Sequence, residues 1–156
     1  MVDLSKTNLR GADLSGVNLV GVDLSGKDLT YANLSGQDLS GHDLTNTILR
    51  GADLSSSVLP DNGLSEKDFD HAILDEVDLS GKDLRHSTFR YASLDNTNLE
   101  NANLRVADFY LVDLTKIKNK SLVNANLIGA FFGHSNLSGV NLAGVALDQN
   151  LSLIHI

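Results

Sequence analysis

The 156-residue chain has no cysteine, no tryptophan and a single proline, and each absence removes a class of explanation. Without cysteine there is no disulfide framework, no zinc–thiolate site and no thiol nucleophile. No stretch approaches the roughly 20 consecutive apolar residues that a membrane-spanning helix needs. No leader-like segment precedes Asp3, so a cytoplasmic, membrane-free protein is the expectation. Clustered bases are missing too. Twelve Lys and Arg against twenty Asp and Glu give a formal charge of −8, and direct nucleic-acid binding is not expected, because phosphate contacts depend on grouped cations.

Catalytic signatures are equally absent. There is no nucleophile elbow, phosphate-binding loop, zinc-binding His-Glu-Xaa-Xaa-His or dinucleotide fingerprint. His42, His71, His86, His134 and His155 are scattered along the chain. Glu66 and His86 fall one above the other in the repeat described below, yet no nucleophile or oxyanion donor accompanies them. Asp75, Glu76 and Asp95 share a corner, but solvated carboxylates hold a cation weakly. No catalytic residue, cofactor or metal site is expected, and the chain reads as a non-enzyme.

What is present is a repeat. Leu or Phe recurs every five residues from Leu4 to Leu114, 23 times, and six times more from Leu122 to Leu147 after a three-residue slip. On an α-helix a five-residue step turns the chain by about 500°, so these side chains would spiral instead of forming a stripe. In one straight strand the same step alternates faces, and half of them would point at water. What remains is a short extended side, then a turn, repeated until four sides close a coil. The count of four comes from Ala12, Ala32, Ala52, Ala72 and Ala92, each two residues before a central Leu or Phe and each 20 residues from the next.

With the central residue at position i, 22 of the 29 residues at i−2 are Ala, Val, Ser or Thr, sizes that fit beside a leucine in a narrow interior. Eleven of the 13 glycines fall at i+2, where the chain turns. Asp or Asn fills 20 of the 29 i−1 positions, where a short side-chain oxygen can bond nearby backbone N–H groups. Runs such as Ala12-Asp13-Leu14-Ser15-Gly16, Ala52-Asp53-Leu54-Ser55-Ser56 and Asn101-Ala102-Asn103-Leu104-Arg105 resemble the pentapeptide-repeat family, whose motif is A(D/N)LXX. The resemblance implies an all-β, right-handed quadrilateral β-helix of about seven coils, roughly 35 Å long. It also implies a second functional possibility, because quinolone-resistance members of the family are acidic dimeric rods that mimic DNA and bind gyrase.

The expected organisation is one β-helix over residues 1–149, with a short loop at 115–121 carrying Lys116, Lys118 and Lys120, and a tail at 150–156. Seven i−2 positions are not small: Lys27, Gln37, His42, Asn62, Lys67, Lys82 and Lys120. A buried ammonium without partners is costly, so these lysines must reach past a corner, pair with an aspartate or mark an altered turn. Stacking at 20-residue intervals places Arg50, Asp70 and Arg90 in one column and His71 beside Tyr91. It also places Asp3, Asp23, Asp43 and Asp83 in one row, interrupted by Gly63, as a candidate acidic strip.

Beyond residue 121 the only charged side chain is Asp148, and outward positions turn apolar. Val123, Ile128 and Phe131, followed by Leu153, Ile154 and Ile156, form a candidate homodimer interface at the open end of the rod. The tail either caps that end or pairs with a second copy. The leading expectation is therefore a solenoid that works through protein–protein contact, with DNA mimicry directed at gyrase as the alternative.

Overall fold

The computed structural model describes residues 3–148, and the expectations that fall on Leu153, Ile154, Ile156 and the tail lie outside them. The chain winds as a four-sided β-helix. Face 1 carries Leu4, Leu24, Leu44, Leu64, Leu84, Leu104, Leu127 and Leu147. Face 2 carries Leu9, Leu29, Leu49, Phe69, Phe89, Phe109 and Phe132. Face 3 runs from Leu14 to Leu137, and face 4 from Leu19 to Leu142. All sixteen β-bridges among the described residues are parallel. Thirteen join residues 20 apart, and the three that cross the slip, Asn103↔Asn126, Asp108↔Phe131 and Asp113↔Asn136, join residues 23 apart. Each side is so short that pairing takes the form of single bridges at i−1, flanked by hydrogen bonds such as Leu9 N–H to the Asp28 carbonyl at 2.8 Å.

The corners explain the composition. The residue at i+2 is left-handed at almost every turn, whether it is glycine, as at Gly51 (φ 68°), or Tyr31 (φ 58°), His71 (φ 61°) or even Val106 (φ 58°). Most corners close with a bond from the N–H of i+3 to the carbonyl of i, for example Ala12 to Leu9 at 3.0 Å. Asp and Asn at i−1 accept from the N–H two residues on, as in Ser55 to Asp53 and Val20 to Asn18, both at 3.0 Å. That bond is local, so it shapes every side without tying one coil to the next.

Inside, the central residues and the small i−2 residues form one continuous apolar core. On face 2 its upper half is a stack of rings. Phe69, Phe89, Phe109 and Phe132 lie nearly parallel, with centroids 5.3, 5.0 and 5.3 Å apart, close to the coil spacing. The slip is absorbed by two 3-10 turns, Leu114–Lys116 and Lys118–Lys120. Asp113 caps the first by accepting from Thr115 N–H, and Asn119 (φ 56°) reverses the second. Between them Ile117 turns inward and is buried, while all three loop lysines stay outside.

The large i−2 residues settle in three ways. Asn62 and Lys120 are exposed. Lys82 leans out and pairs with Asp61 at 2.8 Å. The others reach one coil back and donate to main-chain carbonyls: Lys27 to Lys6, Gln37 to Leu14, Ser15 and Val17, His42 to Leu19, and Lys67 to Leu44. Thr47, Ser87 and Thr97 make the same bond with hydroxyls, to Leu24, Leu64 and Leu74. Polar i−2 side chains therefore serve as axial ties between successive corners. Lys67 is the extreme case. It is only 8% exposed, and burial pulls its ammonium pKa below the ordinary lysine value, against the pull of Asp43.

Candidate interaction surfaces

Among the described residues the axis is packed with Leu, Phe and small side chains, and the groups open to a partner stand on the four faces. Face 1 carries the acidic row. Asp3, Asp23 and Asp43 each accept from the hydroxyl and N–H of a residue on their own coil: Ser5, Ser25 and, by N–H, Thr45. Those bonds hold all three carboxyls below the usual carboxylate range. No arginine or lysine makes an ion pair with them among the described residues. Asp83 differs. Arg85 grips both its oxygens at 2.8 Å, so the charge of the row fades after Asp43 and Gly63.

The corner between faces 4 and 1 is open beside this row. Gly41 and Asp61, its corner residues on two coils, do not adopt the left-handed conformation, and Pro60 precedes one of them. Among the described residues, face 1 forms no β-bridge before Asp83↔Asn103. Two shallow surface grooves result. One of about 520 Å³ runs past Asp23, Asp38, His42 and Asp43, and one of about 430 Å³ past Thr45, Pro60 and Asn62. The axis is filled, and a disturbed corner opens outside it.

Face 2 is different in kind. Its charges run in alternating pairs between coils. Arg10 meets Asp28 at 3.4 Å, Arg50 meets Asp68 and Asp70 at 3.3 and 3.2 Å, and Arg90 meets Asp108 at 2.7 Å. Along the corner between faces 2 and 3, His71 stacks on Tyr91 at 4.8 Å and Tyr91 meets the edge of Tyr110 at 5.7 Å. Tyr110 then lies parallel to Phe131, within 11°, and perpendicular to His134. Sequence stacking found the His71–Tyr91 contact and missed its continuation. Register alone does not give it: the 20-residue step sets Tyr91 over Leu111 and the 23-residue step sets Tyr110 over Gly133, so these rings meet by leaning across to a neighbouring column.

Among the expected dimer residues, Phe131 is 53% exposed on face 2, whereas Val123 and Ile128 are half-buried on faces 4 and 1. The three belong to successive sides of one winding and make a collar, not a single flat patch. Glu66 and His86 share no hydrogen bond among the described residues. Asp75, Glu76 and Asp95 are engaged by Ser93, Ser56 and Lys116. No group of metal-ligating side chains occurs among the described residues, and no helix there is long and apolar enough to cross a membrane.

Comparison with known proteins gives one sequence family and a set of structures. The description "pentapeptide repeats" matches in eight copies over residues 2–26, 28–59, 83–118 and 121–149. The unmatched stretch between 59 and 83 contains Pro60 and Asp61 of the disturbed corner, while Gly41 lies in a matched segment. No curated protein matches the chain in sequence. A trypsin-treated form of QnrB1, a plasmid-mediated fluoroquinolone resistance protein, superposes with a TM-score of 0.60 at 19% identity, over 91% of this chain and 78% of that one. Full-length QnrB1 gives 0.53 at 17% identity, and the match spans 78% of this chain and 61% of that one. HetL, a pentapeptide repeat protein involved in heterocyst differentiation regulation in the cyanobacterium Nostoc sp. strain PCC 7120, gives 0.41 at 26% identity, covering 89% and 71%. The architecture shared with the QnrB1 structures is the right-handed quadrilateral β-helix.

Proposed function

Because the chain belongs to the pentapeptide-repeat family, we propose that it is a non-enzymatic, cytoplasmic solenoid working by protein–protein surface contact, as a homodimer joined through its C-terminal coils. One observation carries this reading. The interior is packed with Leu, Phe and small residues, so the side chains that can be recognised stand on outer faces at fixed intervals. In this reading residues 1–149 act as one unit and 150–156 as a tail that caps the rod or joins two copies. Light scattering tests the dimer: a mass that stays near 16.7 kDa at tens of micromolar sinks it.

A second reading is favoured by the unneutralised row Asp3, Asp23 and Asp43. In that reading the acidic face imitates a nucleic-acid backbone and binds gyrase. It is weakened by the pairing of Asp83 with Arg85 and by Arg10, Arg50 and Arg90 on the adjacent face. A gyrase supercoiling assay with and without a quinolone decides it, and no effect of the purified protein at micromolar concentration removes it.

A further inference from the structure

All eight aromatic residues of the chain stand on face 2 or its corner with face 3. Phe69, Phe89, Phe109 and Phe132 point inward, while Tyr31, Tyr91, Tyr110 and Phe131 are on the outside. Over the last three coils the outer set is dense: Tyr91, Leu111 and Phe131 are 50, 45 and 53% exposed. Gly133 makes this surface flat. A Cβ there would lie 2.4 Å from the Phe131 ring and 3.1 Å from Tyr110, so only glycine lets the two parallel rings lie down over the main chain. Rings laid flat present their faces, where upright ones would present edges.

Charge selects the occupant. A chain of net charge −8 repels its own copy over most of its surface. Face 2 beyond Asp108 and face 4 beyond Ser121 are spared, and only the first also carries exposed rings: the outer positions of its last two sides, Tyr110, Leu111, Phe131, Gly133 and His134, hold no carboxylate or ammonium, and Arg90 and Asp108 at the rim neutralise each other at 2.7 Å. We infer that two copies meet side by side and antiparallel across the outer aromatic surface of face 2, with the two-fold axis near Leu111. An axis there sets Leu111 against its counterpart and Tyr91 of one copy opposite His134 of the other, and the one carboxylate it brings level with its own copy, Asp108, is already paired with Arg90. The overlap takes three coils, is closed by symmetry, and leaves both acidic rows free, on the same side of the pair and at its opposite ends. This inference rests on the dimer reading above and replaces an end-to-end contact with a lateral one.

The absence of cysteine makes the test direct. In Leu111→Cys the two thiols lie near the axis and oxidise to a disulfide-linked dimer at least tenfold faster than in Val20→Cys, a more exposed position on face 4, because a disulfide needs Cα atoms within about 7 Å. Tyr110→Asp with Phe131→Asp halves the light-scattering mass, and removing residues 150–156 leaves it unchanged. A wild-type monomer overturns both the dimer reading and this contact. A dimer in which Leu111→Cys cross-links no faster than Val20→Cys overturns the lateral contact alone and returns the interface to the end of the rod. Since the protein has no tryptophan and all three tyrosines lie on this side, a dilution-dependent change in tyrosine emission is expected as an independent signal. Emission unchanged across a measured monomer–dimer transition also overturns the lateral contact.

Discussion

Faces 1 and 2 are built from the same five-residue unit, with the same inward leucine spacing and the same left-handed corners, yet they bond in different directions. On face 1 the carboxylates of Asp3, Asp23 and Asp43 turn to a hydroxyl or N–H on their own coil, and bridging begins only at Asp83↔Asn103. On face 2 bridges link Asn8↔Asp28 and Asp28↔Ile48, and again Asp68, Thr88, Asp108 and Phe131 in succession. Its arginines and its rings likewise reach from coil to coil. The difference teaches that a solenoid side chain can either shape its own turn or hold the neighbouring coil. Cohesion along the axis is concentrated where side chains do the second, and a face whose polar groups are satisfied locally stays available to something else.

The comparison breaks most visibly in the phenylalanine stack. Phe89→Ala removes the middle of it, fully buried between Phe69 and Phe109, and should cost about 3–5 kcal/mol in chemical denaturation. Leu84→Ala empties face 1 of the same coil and should cost about 2–4 kcal/mol. If the face 1 cavity costs as much as the ring, cohesion is not concentrated on face 2.

The hydroxyl ties come next. Ser87, fully buried, donates to the Leu64 carbonyl at 2.8 Å and accepts from Lys67 N–H at 3.2 Å. Ser87→Ala strands that N–H, with an expected loss of about 1–3 kcal/mol. A silent substitution would mean that the axial ties are incidental to the fold.

Lys67→Met tests the same column from the opposite side. The Leu44 carbonyl keeps its bond from Thr47 N–H at 3.0 Å, so the methionine loses little and sheds a desolvated charge. The change at pH 7 should be a gain on the order of 1 kcal/mol or less. The sign with pH follows from linkage. The folded state lowers the Lys67 pKa, whereas the unfolded chain keeps its proton up to the ordinary 10.5, so between those values the unfolded state binds more protons and wild-type stability rises with pH. Below the folded value the penalty is complete. The methionine variant should lack this part of the rise in denaturation curves at pH 7 and pH 10, and an identical rise would place the proton change elsewhere.

The residues read most easily from sequence were those where the repeat itself is the physics. The central Leu and Phe, the small i−2 residues and the Asp or Asn at i−1 each answer to one recurring geometric demand. Three features escaped. The outer aromatic run was hidden because register sets Tyr91 over Leu111 and Tyr110 over Gly133, and the rings meet only by leaning aside. The fate of Lys67 depended on a carbonyl one coil back, and nothing in the spacing says which way a long flexible stem turns. The acidic row looked four residues long until Arg85 was seen to fold back on Asp83. In each case the missing information was the direction of a side chain, which a one-dimensional pattern does not carry.

That acidic row supplies the smallest expected effect on stability. Asn already holds i−1 elsewhere on the rod and accepts the same N–H bond, as Asn18 does from Val20 and Asn126 from Ile128. Replacing Asp3, Asp23 and Asp43 with Asn together should therefore leave the denaturation midpoint at pH 7 where it is. Only the acid limb should change. These carboxyls are depressed in the fold, so what they contribute is present above their ordinary 3.8 and lost as pH falls through the folded values, and the triple variant should lose less on acidification. Binding is where the row should matter. A partner held by three carboxylates without ion-pair partners is released by added salt, and its affinity for the variant should fall while dimerisation through face 2 persists. If a partner binds the variant as tightly as the wild type, with the same salt dependence, the free charges of face 1 take no part in recognition.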